Sequence, residues 1–314
     1  MSNQQDPSTE DGIDRRGFLK CMAWAGTGLI WTVVGGIPES QAFGQGAGKA
    51  RGGFTFVQIS DSHIGFSKGA NPNVVGTLNE AITRINALEQ APDLLLHTGD
   101  LSHLSKAEEF DALDQSLKAV KADGKFFVPG EHDMLDENSG KEYLARYGKG
   151  TQGRGWHSFT HRGVHFIGLV NVLEFDSEKL GKIGAEQLAW LEKDLKRLPS
   201  STPIVVFAHV PLWSVYPEWG WGTGDSAQAL GYLKRFGSVT VLNGHIHQTM
   251  QKVEGQVTFH TARSTAFPQP APGKAPQPGP MQVPAETLRS VLGITSVRYV
   301  QNSHSLAITD SSLA

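Results

Sequence analysis

Residues 54–63 read Phe54-Thr55-Phe56-Val57-Gln58-Ile59-Ser60-Asp61-Ser62-His63, a short apolar, β-prone run that ends in a carboxylate and an imidazole. The same arrangement recurs four times. Leu94-Leu95-Leu96 leads to Gly99-Asp100, and Phe126-Phe127-Val128 leads to Pro129-Gly130-Glu131-His132-Asp133. Residues 204–208 run into His209, and residues 239–242 run into Gly244-His245-Ile246-His247. Between these strands, apolar residues at helical spacing (Val74, Leu78, Ile82, Ile85) predict a helix over 74–88. Further helices are expected at 110–120 and at 185–198, the latter with Leu188, Leu191, Leu195 and Leu198 on one face. Residues 251–262 read as a hairpin, and 296–300 with 305–308 as a closing strand pair. Alternating β and α units followed by a strand-rich half predict two sheets packed face to face, with helices outside.

In open α/β sheets the carboxyl edge of the strands is where sites assemble. Five strands are therefore expected to deliver Asp61, His63, Asp100, Glu131, His132, His209, His245 and His247 to one rim. Hard carboxylate oxygens with imidazole nitrogens suit first-row ions such as Fe, Mn or Zn. The single cysteine, Cys21, excludes both a disulfide framework and a thiolate cluster. Seven ligands (the set above without His132) exceed what one such ion takes, and they suit two ions sharing a carboxylate. Such a pair can polarise a phosphoryl oxygen and stabilise a leaving oxygen together.

Taken in order, Asp61-Ser62-His63, Gly99-Asp100, Gly130-Glu131-His132-Asp133, His209 and Gly244-His245-Ile246-His247 resemble the motif set of the calcineurin-like metallophosphoesterases. The spacing is also similar to that of the cyclic-nucleotide phosphodiesterase branch. The resemblance implies a four-layer α/β/β/α sandwich of two mixed sheets flanked by helices. It implies two divalent or trivalent metal ions, with Asp61, His63 and His247 on the first, Asp100 bridging, and Glu131, His209 and His245 on the second. It further implies hydrolysis of a small-molecule phosphodiester or phosphomonoester by a metal-bridging hydroxide. His132 would then serve the leaving group, oriented by Asp133.

One position departs from the family. Glu131 stands where the pattern has asparagine, which adds a negative charge beside the second ion. The charge should lower Lewis acidity there and repel a dianionic monoester more than a monoanionic diester. Three consequences are open: a plain substitute ligand, a preference for a more highly charged ion or a diester, or a protein that binds metal with little turnover. The last of these is a rival of another class, an exported metal- or ligand-binding protein on the same scaffold.

The first forty residues carry other signals. Arg15-Arg16-Gly17-Phe18-Leu19-Lys20 precedes an apolar run at 21–37, and Ser40-Gln41-Ala42 supplies small residues for cleavage. The paired arginines resemble a twin-arginine export signal, with Asp14 in place of the usual Ser or Thr. The expected organisation is a signal peptide at 1–42, a linker at 43–52 and one catalytic domain at 53–314. The implied partner is the twin-arginine machinery, the implied destination is the periplasm, and no stable membrane span is expected after cleavage. A net charge of −3 without a Lys/Arg block argues against nucleic acid.

Several other residues invite a functional reading. Trp213, Tyr216, Trp219 and Trp221 could stack on a substrate, although packing of their own loop is favoured. His157, His161 and His165 on one expected strand look like an unused metal site, yet with no carboxylate companion they read as structure. His97 reads as a satisfied core histidine and His103 as a neighbour of the ligands. Residues 268–284, rich in proline, read as a surface excursion without a core of its own.

Overall fold

The computed structural model describes residues 28–34, 37–43, 53–136, 139–175, 179–301 and 306–314, the first two stretches as backbone alone. Residues 1–27 of the expected signal and residues 44–52 of the expected linker lie outside the described residues. Strand β1 (Gly28–Val34) pairs antiparallel with β2 (Ile37–Phe43) in a unit comprising residues 1–49. Among the described residues no helix is long and apolar enough to cross a membrane.

The unit of residues 50–314 holds two sheets. Strands β3 (Phe54–Ile59), β4 (Leu94–Thr98) and β5 (Gly124–Val128) run parallel. They are extended by β12 (Gly293–Tyr299) and β13 (Ala307–Ser312) into a five-stranded sheet of order β13-β12-β3-β4-β5. The other sheet comprises β6 (His157–His161), β7 (Val164–Gly168), β8 (Ile204–Phe207), β9 (Val239–Asn243), β10 (Met250–Glu254) and β11 (Val257–Thr261). Its order is β10-β11-β9-β8-β7-β6, with parallel pairing from β7 through β8 and β9 to β11 and antiparallel edges.

Side-chain alternation with period two builds the layers. Phe54, Phe56, Leu94, Leu96 and Val128 meet Val164, Phe166, Val205, Phe207 and Leu242 in the core between the sheets. The intervening residues Val57, Ile59 and Leu95 face the opposite way. They pack with Leu78 and Ile82 of α1 (Val74–Asn86) and with Phe110 and Leu113 of α2 (Ala107–Leu117). On the far side, Ile167, Val206 and Val241 pack under α4 (Ala185–Leu195) and α5 (Ser226–Leu233). The short helices α3 (Lys141–Tyr147) and α6 (Leu288–Val291) complete the set. The outcome is the expected four-layer sandwich, and α4 is a sheet-covering helix.

Two local differences from the sequence reading have clear causes. Helix α2 begins three residues before the expected start, because Glu109 caps it. Its carboxylate accepts from the backbone N–H of the N-cap Lys106 at 3.4 Å, and also from His103 at 3.1 Å and Leu104 at 2.7 Å, turning charged residues that read as loop into a first turn. The histidine stripe is also divided, since a turn at Arg162-Gly163 puts His157 and His161 on β6 and His165 on β7. His165 bonds Asp194 at 2.9 Å, His161 lies 3.5 Å from Asp93 and His157 bonds the Gly155 carbonyl at 3.1 Å. With three different partners, the three rings do not form one site.

Phe166 is fully buried between the sheets, edge-on to Phe56 at 5.2 Å and stacked on Phe159 at 4.9 Å. Phe166→Ala is expected to destabilise the domain by about 3–5 kcal/mol, read from denaturant midpoints, while leaving metal stoichiometry unchanged.

Candidate metal centre

Strands β3, β4, β5, β8 and β9 all end at one edge, and hydrogen bonds hold the two sheets together there. The buried amide of Gln58 donates across the sandwich to the Asn243 carbonyl at 3.0 Å and within its own sheet to Thr98 Oγ1 at 3.0 Å. Beyond the strands the ladder continues, with His63 N–H on the Asp100 carbonyl at 2.9 Å and Gly244 N–H on the His209 carbonyl at 3.0 Å. His245 N–H donates to Asp61 Oδ1 at 3.0 Å, tying the two sheets directly through a ligand.

The backbone there is bent sharply. Asp61, His63, Asp100, His245 and His247 all lie at positive φ, between 41° and 69°. Each such residue costs about 1 kcal/mol or more, and clustered strain of this kind is found where geometry serves a site. Two glycines in the motifs are required by close approach. A Cβ on Gly130 would collide with Asp100, and one on Gly244 would collide with Ser60 and Asp61.

The seven expected ligands converge in two groups. In the first, His247 Nε2 lies 3.3 Å from Asp61 Oδ1 and 3.3 Å from His63 Nε2. In the second, Glu131 spans two rings, with Oε2 at 2.9 Å from His209 Nε2 and Oε1 at 3.0 Å from His245 Nδ1. Asp100 Oδ2 stands between the groups, 3.4 Å from His63 Nε2 and 3.4 Å from His209 Nε2. Asp61, His63 and His247 can hold one ion, and Glu131, His209 and His245 another. The donor chemistry fits two first-row metal ions. So does Glu131 Oε2, a buried oxygen that lacks a properly directed hydrogen bond among the described residues.

The electrostatics show a strong negative field that calls for positive charge: burial disfavours a charged His209, yet Asp100 and Glu131 raise its pKa well above the usual value. Burial opposes ionisation of Asp61, yet the neighbouring rings of His247 and His209 outweigh it and hold the carboxyl at about 2. Burial likewise works against charge on Glu131, and His245 and His209 overcome it to hold that carboxyl well below its usual range. For His63 burial wins, reinforced by the rings of His247, His132 and His103, so the imidazole stays neutral as a ligand must be. Backbone carbonyls fix the ring tautomers: His209 Nδ1 bonds the Thr98 carbonyl at 2.7 Å and His247 Nδ1 the Phe267 carbonyl at 2.5 Å.

His132 sits beside this cluster on a 3-10 turn (Glu131–Met134), and its Nδ1 donates to the His103 carbonyl at 2.7 Å. Burial disfavours its charge, but Asp100 and Glu131 more than offset that, raising its pKa. The ring is therefore oriented by His103 and not, as expected, by Asp133. Asp133 is fully buried and accepts instead from the N–H groups of Gly130 at 2.9 Å, Leu101 at 3.1 Å and Ser102 at 2.8 Å. Burial and the charge of Asp100 push its carboxyl up to about 7. Its role is to bind the Asp100 loop to the Glu131 loop.

The structure also sorts the neighbouring residues. His103 stacks on His132 at 4.9 Å and lies 3.4 Å from His63 Nδ1, so it does belong beside the ligands. His97 is buried and bonds Ser62 at 2.8 Å through Nε2, while its Nδ1 has no hydrogen-bond partner among the described residues. Burial holds it neutral, at about 3. The aromatic loop packs on itself: Trp221 is fully buried, Trp219 meets it edge-on at 5.1 Å, and Trp213 lies against Phe259. The Pro-rich excursion has no core of its own, yet it braces the site, because Gln269 donates to the His245 carbonyl at 2.8 Å. Neither Gln58 nor Gln269 is given a role by the sequence. A polar residue inside an apolar strand was the available signal for Gln58, and nothing in the sequence marks Gln269.

Comparison with known proteins agrees with this geometry. The family model described as calcineurin-like phosphoesterase matches residues 54–249. A 3',5'-cyclic-nucleotide phosphodiesterase of Nostoc sp. (strain PCC 7120) is 27% identical over 219 residues, covering 68% of this chain and 79% of that protein. A probable glycerophosphodiester phosphodiesterase of Arcobacter nitrofigilis is 28% identical over 169 residues, 50% of this chain and 57% of its own length. Among solved structures, a dimetal phosphatase from Danio rerio superposes with a TM-score of 0.60 at 14% identity, over 83% of this chain and 96% of that one. With the model match spanning more than half of its length, the chain belongs to the calcineurin-like phosphoesterases, metal-dependent hydrolases of phosphoric esters.

Proposed function

We propose that the protein is an exported phosphodiesterase acting on small-molecule diesters with two metal ions. The observation that carries this reading is the convergence of seven donors into two groups that share Asp100. Asp61, His63 and His247 would hold one ion, and Glu131, His209 and His245 the other. When bound, the ions supply the Lewis acidity that activates water and offsets charge developing on the phosphoryl oxygens.

The protein's own groups do the remaining work. The His103 carbonyl fixes Nδ1 of His132 as the donor and leaves Nε2 to serve the leaving oxygen. Asp100 and Glu131 favour the protonated ring, which a group that gives up a proton requires. Asp133 keeps the two loops in register through their backbone N–H groups.

Glu131 supports the choice of diester. Its carboxylate adds a third negative charge to those of Asp61 and Asp100, opposing a dianionic monoester more than a monoanionic diester. The same charge favours a trivalent ion in the second position. Names borne by the relatives from Nostoc and Arcobacter are consistent with a diester substrate. Export rests on Arg15-Arg16 and the small residues before position 43.

Three measurements check this reading. Metal analysis of purified protein should give two ions per chain, and His132→Ala should retain both while losing about 10²–10⁴-fold in kcat on a chromogenic diester. Metal binding without turnover in the parent protein would instead favour the non-catalytic metal- or ligand-binding protein on the same scaffold. Glu131→Asn should raise monoester over diester selectivity about tenfold and lower the share of trivalent iron in the second position, read by spectroscopy as well as kinetics. Replacing Arg15 and Arg16 by lysine should leave the protein in the cytoplasm with an unprocessed N-terminus, as read by fractionation and mass spectrometry.

A further inference from the structure

Two of the seven ligands, Glu131 and His245, reach solvent appreciably. Side chains of Asp61, His63, Asp100, His209 and His247 are 3% exposed or less, whereas His245 reaches 14% and Glu131 28%. Glu131 also forms one wall of a cavity of about 240 Å³. The other walls come from two segments: Met134, Leu135 and Ser139 follow the 3-10 turn that carries His132, and Val172, Leu173 and Phe175 follow β7. Five of the eight lining residues are apolar, and with Glu131, Ser139 and Arg154 they make a wall of mixed character. Its one cation is Arg154, which donates to the Ser139 carbonyl and makes no ion pair with any described carboxylate.

The apolar surface here is left open to water. Five large apolar side chains are exposed among the described residues, and two of them, Leu135 at 57% and Phe175 at 44%, line this cavity. A third, Leu104, follows the Asp100 loop. Exposed apolar groups gathered at the mouth of a charged site are the pattern of a surface that a ligand covers. The volume is below the roughly 300 Å³ at which ordinary small-molecule sites begin, so it suits one substituent rather than a whole substrate.

We propose that this cavity is the subsite for one organic substituent of the phosphate ester, an aromatic ring or short aliphatic chain carrying a hydrogen-bond acceptor. The apolar body lies against Met134, Val172, Leu173 and Phe175, and the acceptor meets the guanidinium of Arg154. Phosphorus then stays beside Glu131 and His132. The assignment rests on the phosphate-ester reading of the metal centre and narrows its substrate to esters with a compact apolar group.

The test uses the full chain loaded with manganese, titrated calorimetrically with phenylphosphonate and methylphosphonate, which share an anionic head and are not hydrolysed. Phenylphosphonate should bind at least about tenfold more tightly. Phe175→Ala should cut that advantage to less than about threefold, and Val172→Trp, which fills the cavity, should abolish it. 4-Carboxyphenylphosphonate should bind more tightly than phenylphosphonate, and Arg154→Gln should remove that gain. Equal binding of the phenyl and methyl probes, or an advantage that survives Phe175→Ala and Val172→Trp together, overturns the subsite. If neither probe binds, the subsite and the phosphate site fail together. A phenyl advantage in a protein that hydrolyses no ester supports the subsite and removes the hydrolase reading alone.

Discussion

Asp100 stands within 4.8 Å of both Asp61 and Glu131, and the two aspartates are almost completely shielded from water. Buried carboxylates at such separation repel strongly and are tolerated only against compensating positive charge. Four imidazoles surround them, but rings that serve as ligands must be neutral, so rings alone leave the balance incomplete. Two metal ions would complete it. The rest of the architecture follows from that demand, because the donors must be held close although they repel.

The holding is done by the backbone and by the sandwich behind it. Five of the ligands sit at positive φ, which a loop free to relax would abandon. They stay there because each follows directly on a strand buried on both faces. Cross-sheet bonds from Gln58, and from His245 N–H to Asp61, make the two sheets one support. Asp133 shows how this differs from chemistry at the centre. It lies next to His132 in sequence, but its carboxylate is spent on three backbone N–H groups that join the Asp100 and Glu131 loops.

Near Glu131 the site has a different character. Where the ligands are sealed, backbone carbonyls and cross-sheet hydrogen bonds hold them. Beside Glu131, apolar side chains and the guanidinium of Arg154 share one cavity wall. On the proposed reading, the donors that would hold the ions and the wall that would select among esters meet at Glu131. The aromatic loop after His209 contributes to neither, since Trp221 and Trp219 pack into their own loop.

The donor set, its order along the chain and the sandwich were legible in the sequence. Alternating apolar residues announce strands, and a carboxylate or imidazole directly after a strand has few places to go but the sheet edge. Glu131 was equally legible as an added charge. What the sequence left open were partners that carry no side-chain signature. The carbonyls of Thr98, Phe267 and His103 fix three rings, and any residue type has a carbonyl. The sequence neighbour Asp133 was the natural orienter for His132, and only the three-dimensional path of the Asp100 loop gave that role to His103. In the same way, an apparent stripe of His157, His161 and His165 came apart once a turn split its strand. Residue types and strand periodicity fixed which donors the chain brings to the rim, because both are local properties. Contacts between loops distant in sequence decided how those donors are oriented and what lies beside them, because these depend on how the two sheets pack.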